Sequence, residues 1–400
     1  MMTKQGSRAV FDSLLAKTHV QHALVQPDGR HNEFPTALAT LVLLEETPDR
    51  LQATYDKMKG DLAPWEPSPR SISDEEAKSR FLGDGRFQRA FMTYFSMENG
   101  RFAGNSKALA IYHFFAGDNP LICGLFAGVG RPLTLLSDGI ELRATIMVME
   151  SLTLSAVDWM EPMSELLTHP QLELPPGEYL SPEDLIGRVG YDGRFSGVMR
   201  AGPGFHGVAH VFSNPNARAA IPEYIRCLDM SNIPLLLQQL SALSVLLSTA
   251  THKPDQVAFD LYLSRLPACV NSTRVILESW VVEESHKVLF VRGLFLLIML
   301  TYITQLRPVV DGRLLASKDL AEENRGWETI YKKAKRQGTV EGTYGKLEFL
   351  RELRSLRELS KAYSAAHGRL YIHAAWKLVG HWKGWTGLGI DREAMLNIRL

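Results

Sequence analysis

Four hundred residues at 45% hydrophobic and 22% charged can bury a large core, which excludes a disordered chain. Forty-four basic residues balance forty-four acidic ones, so no general field draws nucleic acid or an acidic membrane, and neither is expected as a partner. Three scattered cysteines, Cys123, Cys227 and Cys269, exclude a disulfide framework and a CxxC zinc site, and point to buried, reduced thiols.

Apolar residues repeat at three and four rather than two, as in Val10, Leu14 and Leu15 or Phe87, Phe91, Tyr94 and Phe95, which predicts an all-α fold. The segment Met1 to Asp12 has no apolar h-region, so secretion is not indicated and the cytoplasm is the expected compartment. Helices are expected at 8–19, 34–45, 86–98, 105–116, 141–157, 233–250, 272–306, 345–363 and 366–384. Ser73 with Glu76 reads as a capping box, and Ser181-Pro182 as a cap before a proline at the first helical position. Gly117-Asp118-Asn119-Pro120 and Arg307-Pro308 break helices. Segments 60–72 and 160–182 read as loops, and Val208 to Phe212 is the nearest candidate for a strand. The apolar run from Gly293 to Ile303 is shorter than the roughly 20 residues that cross a bilayer, so it reads as a core helix. With no linker of useful length, the expectation is a single large multi-helix domain around a central cavity, flexible at residues 1–7.

Four segments carry the candidate chemistry. They are Gly29-Arg30-His31-Asn32-Glu33; Ala127-Gly128-Val129-Gly130-Arg131-Pro132-Leu133, running into Gly139-Ile140-Glu141; His252-Lys253-Pro254-Asp255 followed by Phe259-Asp260-Leu261-Tyr262-Leu263-Ser264-Arg265; and Ala366-His367-Gly368-Arg369-Leu370. Their frame resembles the questin oxidase-like family, whose members carry G-R-H-N-H-x-x-H-H, A-G-x-x-H-P-x-x-H-x-G-x-x-x-E, Q-H-P-P-K with D-F-x-F-M-H, and G-H-x-x-K. The resemblance runs from about Gly29 to Trp385. Most of the histidines are gone: the later ones of the first motif fall on Glu33, Thr36 and Ala37, those of the second on Arg131 and Leu135, and that of D-F-x-F-M-H on Arg265.

The resemblance implies an all-helical fold and oxygen-dependent ring opening in the tailoring of aromatic polyketides such as anthraquinones. Histidines gathered from separate helices are what a non-haem iron site needs. Iron and NADPH therefore enter as cofactors through the resemblance alone. Arginine is a poor metal ligand, so either the chemistry here runs without that metal or the metal is held elsewhere.

Read one by one, the candidates keep two meanings each. His31 follows a turn and precedes the apolar run from Phe34; it is a site residue or a hydrogen-bonded structural histidine. Asn32 is a cap, with a place at the substrate as the alternative. Arg131 and Arg265 form a cationic pocket for a phenolate, enolate or carboxylate, or else pair with carboxylates, Asp138 or Glu141 for the first and Asp260 for the second. Glu141 holds Arg131, acts as a base, or starts a solvent-facing helix. His367 is expected on the final long helix, off the face that His373 and Lys377 share.

His206 and His210 stand four apart without the glutamate of HExxH. His113 and the aromatics around it, with Phe126, line a flat-substrate pocket or fill the core. His286, among Glu283, Glu284 and Lys287, is expected to be solvated. Catalysis is thus assigned to His31, His367, Arg131, Arg265 and Glu141, and substrate binding to Asn32, His113, Phe126 and Asp260.

The function expected is a secondary-metabolite tailoring oxidase acting on a small aromatic substrate, with a homodimer the one protein partner in view. A metal-free cyclase, isomerase or lyase, and a non-catalytic binding protein, are the alternatives.

Overall fold

A computed structural model of the chain describes residues 2–77, 79–116, 121–173, 177–200, 202–204, 207–281, 283–315, 326–336 and 342–387. Helix dominates them, and among the described residues there is no sheet, only isolated bridges. In chain order the helices are α1 (Met2–Gln21), α2 (Phe34–Leu43), α3 (Pro48–Met58), α4 (Asp74–Ala77), α5 (Gln88–Arg101), α6 (Ser106–Phe115), α7 (Ile122–Leu125), α8 (Arg131–Glu141), α9 (Thr145–Val157) and α10 (Glu161–Leu167). There follow α11 (Pro182–Tyr191), α12 (Val208–Ser213), α13 (Pro215–Ile225), α14 (Ile233–Thr249), α15 (Leu266–Ser279), α16 (Glu284–Thr304), α17 (Trp327–Arg336), α18 (Gly342–His367) and α19 (Leu370–His381). They fall into two compact units, Met1–Ser164 with Ser272–Phe290, and Glu165–Asn271 with Val291–Leu400.

In the first unit α9 is the hub, touching α1, α5, α6, α7 and α8. Every residue from Met147 to Val157 is buried, which is why this helix shows no polar stripe. Its small polar side chains bond to backbone: Ser151 Oγ donates to Pro132 O at 2.8 Å and Thr153 Oγ1 to Met149 O at 2.9 Å. At Gly124 a Cβ would stand 1.9 Å from Ser155 O, so only glycine lets α7 lie this close to α9.

In the second unit α14 packs on α11, α18 and α19, and α19 also on α17 and α18. A C-terminal strap closes it: Thr386 N donates to Phe259 O at 2.9 Å and Leu261 N to Thr386 O at 3.0 Å.

Both expected caps form. Ser73 N donates to Glu76 Oε2 at 3.1 Å while Glu76 N returns a bond to Ser73 Oγ at 3.3 Å, and Ser181 Oγ accepts from Asp184 N at 3.1 Å. Several boundaries differ from the periodicity. The expected helix 141–157 starts later, as α9 at Thr145, because Arg143 adopts φ 50° after α8, whose last residue is Glu141. The expected helix 272–306 is two, α15 ending at Ser279 and α16 starting at Glu284.

Val208 to Phe212 is helical, in α12 after Gly207, and not a strand; segment 160–182 is not all loop, since α10 occupies part of it. Residues 117–120 and His206 lie outside the described residues. The helix around Gly293–Ile303 extends to 21 residues and has the length and composition to cross a membrane, but 78% of its most apolar window is buried inside the protein.

Leu152 is wholly buried on α9, so Leu152→Ala should cost about 2–5 kcal/mol. Exposed Val20→Ser should change stability by less than about 0.5 kcal/mol. Urea unfolding of the two variants checks the contrast.

Candidate active site

The first two motif segments meet in the first unit. Gln26 N donates to Arg30 O and Asn32 N to Leu24 O, closing a turn that returns the chain at His31 beside the entrance of α2. The Asn32 amide is committed to backbone: Oδ1 accepts from Phe34 N at 3.0 Å and Nδ2 donates to Ala23 O at 3.1 Å. That is an Asx turn, as the capping reading of Asn32 expected.

His31 points at Asp158, the residue that ends α9. Its Nε2 lies 2.9 Å from Oδ2 and 3.2 Å from Oδ1, with the ring 11% exposed. Burial pulls the His31 pKa down. The Asp158 carboxylate beside it, by charge and by hydrogen bond, and Glu33 outweigh that, and the net value is raised; Arg131 acts against them. His31 therefore holds its proton more tightly than a free histidine.

The glycine-flanked turn covers this pair. Gly128, Val129 and Gly130 all take left-handed φ, at 52°, 58° and 67°. For β-branched Val129 that is a strained conformation. A Cβ on Gly128 would stand 2.5 Å from His31 Cε1 and 2.8 Å from Asp158 Oδ2, so the turn can rest on the histidine only because position 128 is glycine.

Arg131 begins α8 from this turn, and its guanidinium meets Glu33 Oε1 at 2.5 Å with only 4% of the side chain exposed. A cation at a helix N-terminus is opposed by the helix dipole, and the Glu33 carboxylate offsets it. The sequence reading named other carboxylates for Arg131. Of those, Asp138 is buried within α8. Glu141 is exposed at the far end of the same helix, about 15 Å along the axis, and not at a helix start.

The other predicted residues of the first unit do not join this cluster. His113 is buried on α6, edge-on to Tyr94, Phe95 and Tyr112, with Nε2 3.7 Å from Glu98 Oε2, and Phe126 is fully buried edge-on to Phe290. His286 is not simply solvated: its ring stacks on Phe115 at 3.8 Å.

In the second unit Arg265 donates through Nε to Glu348 Oε2 at 3.3 Å and through a terminal nitrogen to the Tyr344 hydroxyl. Its expected partner Asp260 accepts instead from Tyr262 N and Leu263 N, and, with the Gln305 amide nitrogen turned toward it, from that group at 2.7 Å. Burial pushes the Asp260 carboxyl up to about 7. His367 ends α18, where Gly368 with φ 56° stops the helix, so it does not share a helix with His373 and Lys377; its Nε2 faces Gln238 O at 3.1 Å.

Iron of the kind the motifs imply does not suit these residues. Two of the motif positions, Glu33 and Arg131, are bonded to each other, a third is buried Leu135, and the retained His31 has its Nε2 engaged by Asp158. A guanidinium cannot ligate and repels a cation. Among the described residues no group of three or more His, Cys, Asp and Glu side chains is arranged to hold a metal ion.

Asp158 and Glu33 were the residues that sequence reasoning missed. Nothing local marks Asp158. Glu33 carried a usable signal, since two histidine positions changed to residues of opposite charge.

Two outcomes follow from these contacts. Because the folded pKa of His31 lies above its unfolded value of about 6.5, its bond to Asp158 contributes fully below that pH and is lost as pH rises through the folded value. Asp158→Asn should therefore cost about 2 kcal/mol near pH 6 and progressively less as pH rises through the folded pKa of His31, by thermal unfolding at a series of pH values. Arg131→Met alone should cost about 3–5 kcal/mol, and adding Glu33→Leu should recover a large part of it, measured as a double-mutant cycle.

A family profile described as Questin oxidase-like matches residues 30–347. No curated protein matches the chain. The match takes in the His31, Arg131 and Arg265 segments and stops short of His367. Covering well over half of the 400 residues, it makes this chain a member of the questin oxidase-like family.

Proposed function

We propose that this chain is a tailoring oxidase that oxygenates or opens a ring of a phenolic aromatic polyketide, with His31 moving the proton and Asp158 positioning it. The single observation that carries the reading is the contact between His31 and Asp158 under the strained Gly128–Gly130 turn, within the span matched by an oxidase-like family. Above its raised pKa the neutral imidazole can take the proton of a phenol. The resulting phenolate supplies electrons to dioxygen, and if both oxygen atoms enter the product no outside reductant is required.

Arg131 contributes through the field of its ion pair with Glu33 rather than as a free cation. That weakens the cationic pocket as a device for holding the substrate oxygens.

The same pairing favours a second reading, a metal-free cyclase, isomerase or lyase. Two motif positions are filled by an ion pair, and what remains at the site is acid–base chemistry.

Oxygen consumption with a polyhydroxylated anthraquinone separates the two. One dioxygen consumed per substrate, abolished under nitrogen, supports the oxidase; equal turnover without oxygen overturns it. His31→Ala should lower kcat/KM by about 100-fold or more. The acid limb of the kcat/KM profile should fall with an apparent pKa above the ordinary histidine value, and Asp158→Asn should move that limb to lower pH. An unmoved limb removes Asp158 from its positioning role.

A further inference from the structure

The second unit holds a pocket that the reading above does not use. Its volume is about 820 Å³, and its lining residues lie between Glu165 and Pro222, all within that unit. Small-molecule sites have this size, roughly 300–1,000 Å³, with apolar walls and a few placed polar groups. The segment 165–170 forms one wall, and residues of α12 and α13 form the other. Leu166 and Phe212, both buried, supply apolar surface, and Pro170, Pro215 and Pro222 stiffen the backbone around it.

Two side chains on opposite walls can donate to a ligand. Gln171 N donates to His169 Nδ1 at 3.2 Å, so in the neutral ring the hydrogen sits on Nε2. His169 O also accepts from Leu172 N at 2.9 Å, which fixes this wall. Across the pocket the Arg218 guanidinium on α13 pairs with the Glu165 carboxylate. One carboxylate engages at most two of the five guanidinium N–H groups. The two side chains are 41% and 50% exposed, and an ion pair so solvated contributes little, so exchanging Glu165 for the carboxylate of a ligand costs little. A cation gains nothing here, because Glu165 is the one acid among the described lining residues and arginine already neutralises it. The pocket suits a planar acid on a flat apolar body. Its carboxylate matches the guanidinium fork, and its rings cover Leu166, Phe212 and the prolines.

We propose that this pocket binds a small aromatic carboxylate, held by Arg218 with Glu165 displaced. The site stands on residues of the second unit and does not depend on the role given to His31.

The probe is 2-naphthoate, titrated into the full chain near neutral pH and followed by its fluorescence. Saturable binding is expected, and 2-naphthamide, of the same shape without the charge, should bind about tenfold or more weakly. Arg218→Gln should weaken 2-naphthoate binding by about tenfold or more, as loss of a charge-assisted hydrogen bond implies. Glu165→Gln removes the competing carboxylate and should bind at least as tightly as wild type. Both changes break the same ion pair, so this contrast separates a ligand site from a pair that only joins two segments. Ala219, exposed on α13, also lines the pocket, and Ala219→Trp should fill it and abolish binding while circular dichroism shows the chain folded. Four results overturn the proposal: no saturable binding by the wild-type chain, 2-naphthamide binding as tightly as 2-naphthoate, weaker binding by Glu165→Gln, or a folded Arg218→Gln or Ala219→Trp variant that binds within about twofold of wild type.

Discussion

The candidate site depends on burying charge in opposite pairs. Arg131 stands at the first position of α8, where helix geometry sends its side chain inward and solvent cannot reach it. An isolated buried charge is costly, so the chain must bring a carboxylate to it, and Glu33 at the entrance of α2 does so. That contact pins α2 against α8. His31 lies two residues before Glu33, so the segment that completes the ion pair also sets where the imidazole stands. Asp158 receives it at the end of α9, the helix around which the first unit is packed.

Backbone strain is concentrated at the same place. Three consecutive left-handed residues bring the chain over His31 and into α8, and one of them is a valine. Glycine at 128 gives the backbone room to touch the histidine, and glycine at 130 caps α8 in the left-handed conformation. Val129 is buried in a conformation that a β-branched residue rarely adopts, as expected where a site requires a fixed approach of backbone to side chain.

The second unit handles buried polar groups in a different way. Asp260 is satisfied by backbone and amide donors rather than by a cation, and Arg265 is shared between Glu348 and Tyr344. Glu352, one turn beyond Glu348 on α18, is wholly buried and its pKa is raised well above the usual carboxylate value by desolvation and by its acidic neighbour.

Periodicity, caps and the retained motif frame determined the all-α class, most of the long helices, the core character of the apolar run near Gly293 and the family. Each of these is written in contacts within a few residues, or in residue identities that survive as a pattern. The division between α15 and α16 and the late start of α9 escaped because a short joint beside an apolar helix leaves the repeat nearly intact. Only the tertiary structure could decide that Glu33 answers Arg131, that Asp158 holds His31, and that Arg265 turns to Glu348. Those choices join residues 83 to 127 positions apart, and buried charge pairing is set by where helix ends arrive in space rather than by what stands next in the chain.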